Sequence, residues 1–218
     1  MTEDANRDRL VERLREEGYV RSPAVAAAIL TVPREEFVRA VDRARANRDV
    51  PLPIGGGQVV TAPHLVANVA ELLDLAPGLT VLEVGTGSGY HAAITAELVG
   101  AENVYSIERR PDLAERAREN LDRTGYSDVT VVVGDGTKGY PDHAPYDRIY
   151  VAAAGPDAPE PVLEQLKDGG RMVVPIGTRE QTLYLVEKRD GDVSRTPFGG
   201  VRFVPLVGEY GLENDADG

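Results

Sequence analysis

The chain has 218 residues, with 36 acidic against 24 basic side chains, a net charge of −12 and no cysteine. That length suits one α/β domain with additions and can bury a large core. The missing thiols exclude disulfides, thiolate metal sites and cysteine nucleophiles, and three histidines (His64, His91, His143) are too few for a histidine-rich metal cluster.

Only Lys138, Lys167 and Lys188 are lysines, so 21 of the 24 basic residues are arginines (24 minus 3). An acidic, lysine-poor surface is what a salt-rich cytoplasm favours, because carboxylates hold hydrated cations while salt screens their mutual repulsion. The expected source is halophilic, an archaeon of that kind. The same charge argues against nucleic-acid binding, which draws on a basic face to release counterions. No apolar run is long enough to span a bilayer, and Met1-Thr2-Glu3-Asp4 is too polar for a signal peptide, so no membrane role and a cytoplasmic location are expected.

In chain order, residues 6–17 read as an amphipathic helix with Leu10, Val11 and Leu14 inward, closed by Gly18. Ser22-Pro23 opens a second helix over 24–30, with serine as cap and proline in the first position. Pro51-Leu52-Pro53-Ile54-Gly55-Gly56-Gly57 is too irregular for a helix and rich in turn formers, the kind of segment that holds substrate beside a binding fold, or else a plain linker. Gln58-Val59-Val60-Thr61-Ala62-Pro63-His64 then leads into a helix reaching Leu75, with Thr61 expected as its cap. From residue 79 strands and helices alternate: strand 80–84, helix 90–99, strand 103–108, helix 111–124, strand 129–133, strand 147–153, helix 158–167 and strand 171–175. This predicts a doubly wound, mostly parallel α/β sheet. Runs at 182–188, 193–196 and 201–206 have no helices between them and predict an antiparallel edge. The expected organisation is a helical and loop extension over 1–60 covering the site, a binding core over 61–208, and an acidic tail over 209–218 whose last residues are disordered.

The most informative stretch is Val81-Leu82-Glu83-Val84-Gly85-Thr86-Gly87-Ser88-Gly89-Tyr90. A buried strand ends in an acid, and three alternate glycines bare the turn before a helix start, where ligands sit in open α/β sheets. A dinucleotide fingerprint places its third glycine three residues after the second; here that position is Tyr90. Glu83 inside the motif suits a cationic ligand better than a pyrophosphate, and S-adenosylmethionine, a sulfonium carrying an amino acid and adenosine, fits. A tight structural turn is the alternative. Glu108, nineteen positions beyond Gly89 at the next strand tip, is placed for the ribose hydroxyls. Asp135, in Gly134-Asp135-Gly136 after the third strand, is placed for the adenine amino group.

Taken together, G-G-G-Q-V-V-T-A-P-H, L-E-V-G-T-G-S-G-Y, V-G-D-G, Y-D-R-I-Y-V-A-A-A and L-K-D-G-G-R-M-V-V-P-I-G resemble the protein-L-isoaspartate O-methyltransferases. So do Val32-Pro33-Arg34 near the start and Val201-Arg202-Phe203-Val204-Pro205-Leu206 near the end. The resemblance spans residues 5–211. It implies methyl transfer from S-adenosylmethionine to the α-carboxylate of L-isoaspartyl residues in damaged proteins, whose ester then collapses to a succinimide. It also implies that Thr61 stands where the family has a hydroxyl beside methyl donor and substrate. Gln58, Val59, Val60, His64, Glu83, Gly85, Gly87, Gly89, Glu108, Asp135 and Gly136 would hold the cofactor, and Ile54, Arg202 and Val204 would touch substrate. Val66 stands where some members have a second histidine, which weakens the case for His64. A monomer is expected, with isoaspartyl proteins and peptides as partners. The competing readings are a methyltransferase of a small molecule or RNA, a non-catalytic S-adenosylmethionine-binding module, and, third, an NAD oxidoreductase.

Overall fold

The structure, a computed structural model, describes residues 3–213. Helices α1 (Glu3–Glu16) and α2 (Pro23–Thr31) come first. Ser22 caps α2, its side chain accepting from Val25 N. Two short 3-10 turns then lead to strands β1 (Leu52–Gly55) and β2 (Gln58–Val60), an antiparallel hairpin where the sequence had suggested only irregular chain. Three glycines in positive-φ conformations (Gly55, Gly56, Gly57) make the reversal that alternation patterns cannot show.

Helix α3 (Pro63–Leu73) starts one residue later than a Thr61 cap would require. Its cap is Ala62, without a side-chain hydrogen bond, and it stops two residues short of Leu75 because Asp74 turns left-handed. The core follows as β3 (Val81–Val84), α4 (Tyr90–Val99), β4 (Val104–Glu108), α5 (Pro111–Arg123), β5 (Thr130–Val133), β6 (Tyr146–Val151), α6 (Glu160–Glu164), β7 (Leu166–Ile176), β8 (Gln181–Arg189) and β9 (Asp192–Val201). The helix expected over 158–167 is only α6, and β7 takes over five residues before the expected strand start at 171. β9 runs through the gap expected before 201, and 202–206 is extended chain touching the sheet through the Ala154–Pro205 bridge.

The seven-stranded sheet has the order β5-β4-β3-β6-β7-β8-β9, parallel through β7 and antiparallel over the last two pairs. The predicted parallel sheet with an antiparallel edge is the one found. Successive strand residues face opposite cores: Val81, Val104, Tyr150 and Val173 pack with the helical extension, while Leu82, Val84, Ile149, Met172 and Val174 pack on the other side with α6 and Leu206. Because β4 and β5 lie on one side of β3 and β6 on the other, the chain reverses direction at β3, and the crevice above its carboxyl end is the ligand site of such sheets. Among the described residues no helix is long and apolar enough to cross a membrane.

Candidate active site

Above β3 lies a cavity at the carboxyl end of the strand, where open α/β sheets bind their ligands. Its floor is Glu83 through Ser88, its sides include Glu108, Arg109, Gly136 and Ala152, and Gln58 to Thr61 of the hairpin close it. The glycines do separate jobs. Gly87, with φ +56, has room for a Cβ only up to the Ile54 side chain at 3.4 Å, and it presents bare backbone to the cavity. Gly89, with φ +88, does not line the cavity: a Cβ there would meet Leu121 and Ala117 at 3.2–3.4 Å, so its role is close packing of α4 on α5.

The acids are distributed by the strand tips. Glu83 is fully buried, accepts from the Ser106 hydroxyl at Oε2 and has no partner at Oε1. Burial pushes its carboxyl up to about 8 against the opposing Ser106 and Tyr150 hydroxyls, and the nearby Glu108 charge adds to the rise. Thr86 extends this network, its hydroxyl 2.5 Å from that of Ser106. Glu108 accepts from Gly87 N and Arg110 N, each at 3.0 Å, which leaves further lone pairs on both oxygens for ligand hydroxyls. His91 lines the cavity, stacks on Tyr150 with ring centroids 4.0 Å apart, and is pushed down to about 3 by burial, so it is neutral. A buried, unpaired carboxylate oxygen beneath bare glycine backbone fits a cationic ligand, and Glu108 beside Gly87 fits a diol.

Besides Gly89, three of the expected cofactor and substrate contacts are placed elsewhere. Asp135 does not line the cavity; Oδ1 accepts from Thr137 N (2.9 Å) and Thr137 Oγ1 (2.7 Å), and Oδ2 accepts from Glu209 N at 2.9 Å. Burial raises its carboxyl, but these donors outweigh that and hold it below the ordinary carboxylate range. It therefore straps residues 208–210 to the core, and the expected tail is docked at its start; residues 214–218 lie outside the described residues. Ile54 is buried against the glycine turn, its carbonyl accepting from Arg116 at 2.8 Å. His64 lines a second hollow instead, with Nδ1 2.9 Å from Asp49 Oδ1.

That second hollow is an open groove holding His64, Arg179, Gln181, Arg202 and Phe203. Val59, Thr61, Ala152 and Val204 line both it and the first cavity. Thr61 thus stands in the wall where the two meet. Sequence reasoning missed Arg179, a second guanidinium in the groove, and Ser106 and Tyr150 beneath Glu83. Ser106 carried a faint signal, a polar residue in an otherwise apolar strand run.

The family model described as Protein-L-isoaspartate(D-aspartate) O-methyltransferase matches residues 5–211. A protein-L-isoaspartate O-methyltransferase of Methanopyrus kandleri is 59% identical over 211 residues, covering 95% of this chain and 93% of the relative. One from Hyperthermus butylicus is 57% identical over 223 residues, covering 97% and 92%. Among solved structures, a protein-L-isoaspartate O-methyltransferase superposes with a TM-score of 0.85 at 33% identity, covering 94% of this chain and 67% of that one. A Plasmodium falciparum protein described as a putative member, in complex with S-adenosyl-L-homocysteine, superposes with a TM-score of 0.81 at 26% identity, covering 91% and 96%. On sequence and fold alike, this chain belongs to the protein-L-isoaspartate(D-aspartate) O-methyltransferase family.

Proposed function

We propose that the chain methylates the α-carboxylate of L-isoaspartyl residues in damaged proteins, with S-adenosylmethionine in the glycine-turn cavity and the isoaspartyl segment in the groove. The observation that carries this reading is the position of Thr61 in the wall shared by both hollows. A transfer between two bound partners needs such a junction; a binding module does not.

S-adenosylmethionine supplies a methyl group already activated by its positive sulfur. A carboxylate is already nucleophilic at neutral pH, so the chain has no proton to remove. Its task is alignment of oxygen, methyl carbon and sulfur, and exclusion of water, worth several kcal/mol as pre-paid orientation (about 7–11 at the limit). Glu83, ionised in the loaded site, offsets the positive charge from below, and Glu108 holds the ribose hydroxyls. Asp135, held by Thr137 and Glu209, fixes Gly136 beside the cavity and straps residues 208–210 to the core. Thr61 donates a hydrogen bond that orients the substrate carboxylate, and Val204 and Ala152 pack beside it. Arg202 and Arg179 set positive charge along the groove of an otherwise acidic protein. Transfer forms the oxygen–methyl bond as the carbon–sulfur bond breaks. The following amide nitrogen of the substrate then displaces methanol to give the succinimide, which opens partly to aspartyl.

The acidic, lysine-poor surface supports a salt-adapted protein working in the cytoplasm, and we take it to act as a monomer without nucleic acid. The decisive experiment is labelled methyl transfer to an isoaspartyl peptide and to its aspartyl twin in molar KCl. Labelling of the first alone is expected; equal labelling of both, or none, refutes the proposal.

A further inference from the structure

Arg34 is 1% exposed, yet among the described residues no carboxylate is bonded to it. Its guanidinium donates instead to four backbone carbonyls: Nη1 to Ala46 (2.5 Å) and Arg48 (3.3 Å), Nη2 to Val50 (3.0 Å) and Thr61 (3.1 Å). It also lies 5.5 Å from the ring centroid of Tyr90, a wall of the cofactor cavity. A buried cation carries a large desolvation cost, and ordinary packing would be served by an apolar side chain. The five fixed donors of arginine can tie several strands of backbone at once, which no apolar group can do.

The segment that Arg34 ties is itself tied to the far side of Thr61. Asp49 lies in it, between Arg48 and Val50, and its Oδ1 accepts from His64 N at 2.9 Å. His64 N is the first free N–H of α3, since Pro63 has none, and the helix's own cap residue, Ala62, makes no side-chain hydrogen bond. Asp49 therefore caps α3 from another part of the chain, where a negative group is favoured by free N–H groups and the helix dipole. Both Asp49 oxygens also reach His64 Nδ1, at 2.9 and 3.0 Å. Thr61 is thus gripped twice, by Arg34 at its own carbonyl and by Asp49 three residues on, with the rigid Ala62-Pro63 pair between.

We propose that Arg34 and Asp49 are positioning residues that together aim the Thr61 hydroxyl at the junction of cofactor cavity and substrate groove. This rests on the role given to Thr61 above. A displacement of about 1 Å at a reacting group costs up to about 100-fold in rate, so loosening either grip lowers kcat while the cofactor cavity below stays intact.

The test uses Asp49→Ala and Arg34→Lys, alone and each combined with Thr61→Ala, with kcat on an isoaspartyl peptide, calorimetric Kd for S-adenosylhomocysteine, and Tm. Asp49→Ala, which removes the acceptor for His64 N, is expected to lower kcat about tenfold with cofactor Kd within twofold of wild type, and to lower kcat no further once Thr61 is alanine. Arg34→Lys should behave likewise if it folds; if its Tm shows that it does not, the Asp49 arm decides. An unchanged kcat in Asp49→Ala, or an equal loss in the Thr61→Ala background, overturns the latch. Should Thr61→Ala itself leave kcat unchanged, the role of Thr61 fails and the latch with it. Absence of isoaspartyl methylation in the wild type would instead refute the proposed activity.

Discussion

Glu83 couples cofactor binding to a proton. In the cofactor-free protein burial holds its carboxyl at about 8, against an ordinary value of 4.5. A cationic ligand above it favours the ionised form, so binding at pH 7 must expel a proton that about nine molecules in ten still carry, which weakens affinity about tenfold relative to pH 9. Calorimetry in two buffers of different ionisation heat should show about 0.9 proton released at pH 7 and about 0.1 at pH 9. The difference between wild type and Glu83→Gln separates this carboxyl from the ligand's own amino group. Stability moves the other way. The folded chain keeps the proton up to about 8 and the unfolded chain only to 4.5, so stability from this group is complete below 4.5 and is lost as pH rises toward 8. Glu83→Gln should therefore stabilise the cofactor-free protein by about 2 kcal/mol at pH 6, growing to about 4 at pH 8, or roughly 2–4 °C in Tm per kcal/mol. It should also bind S-adenosylmethionine at least about tenfold more weakly at pH 9. Equal proton release by the two proteins, with parallel Tm–pH curves, would refute a buried, protonated Glu83.

Thr61→Ala is expected to lower kcat by more than it raises cofactor Kd; turnover within a factor of about two of wild type would remove its positioning role. Arg202→Ala should raise KM for an isoaspartyl peptide about two- to fivefold with little change in kcat, the scale of an exposed charge contact, and an unchanged KM would take it out of the substrate site. Thermal melts from low to molar KCl should show Tm and activity rising together as the −12 charge is screened. A flat or falling response would contradict salt adaptation.

The alternation of strand and helix after residue 79, the glycine turn and the acids at successive strand tips were legible because each depends on local period or on a fixed offset from a turn. Order along the chain then implied a doubly wound sheet, and the expected cofactor followed from Glu83 standing inside the glycine motif. Thr61 was visible only through resemblance, since nothing in a Thr-Ala-Pro-His run tells a cap from a site. Its expected cap role failed because Asp49, fifteen residues before His64, caps α3 instead. Asp135 illustrates the same limit: its place in an Asp-Gly turn is local, but whether its oxygens face a cavity or the backbone of Glu209, 74 residues away, is set by how the ends of the chain meet. Local spacing determined the elements and the cofactor chemistry. Only the packed structure decided that Glu83 is desolvated enough to hold a proton, that Arg34 is buried among carbonyls, and that Thr61 separates two hollows. Burial, charge environment and shared walls arise from residues distant in sequence, and no local pattern encodes them.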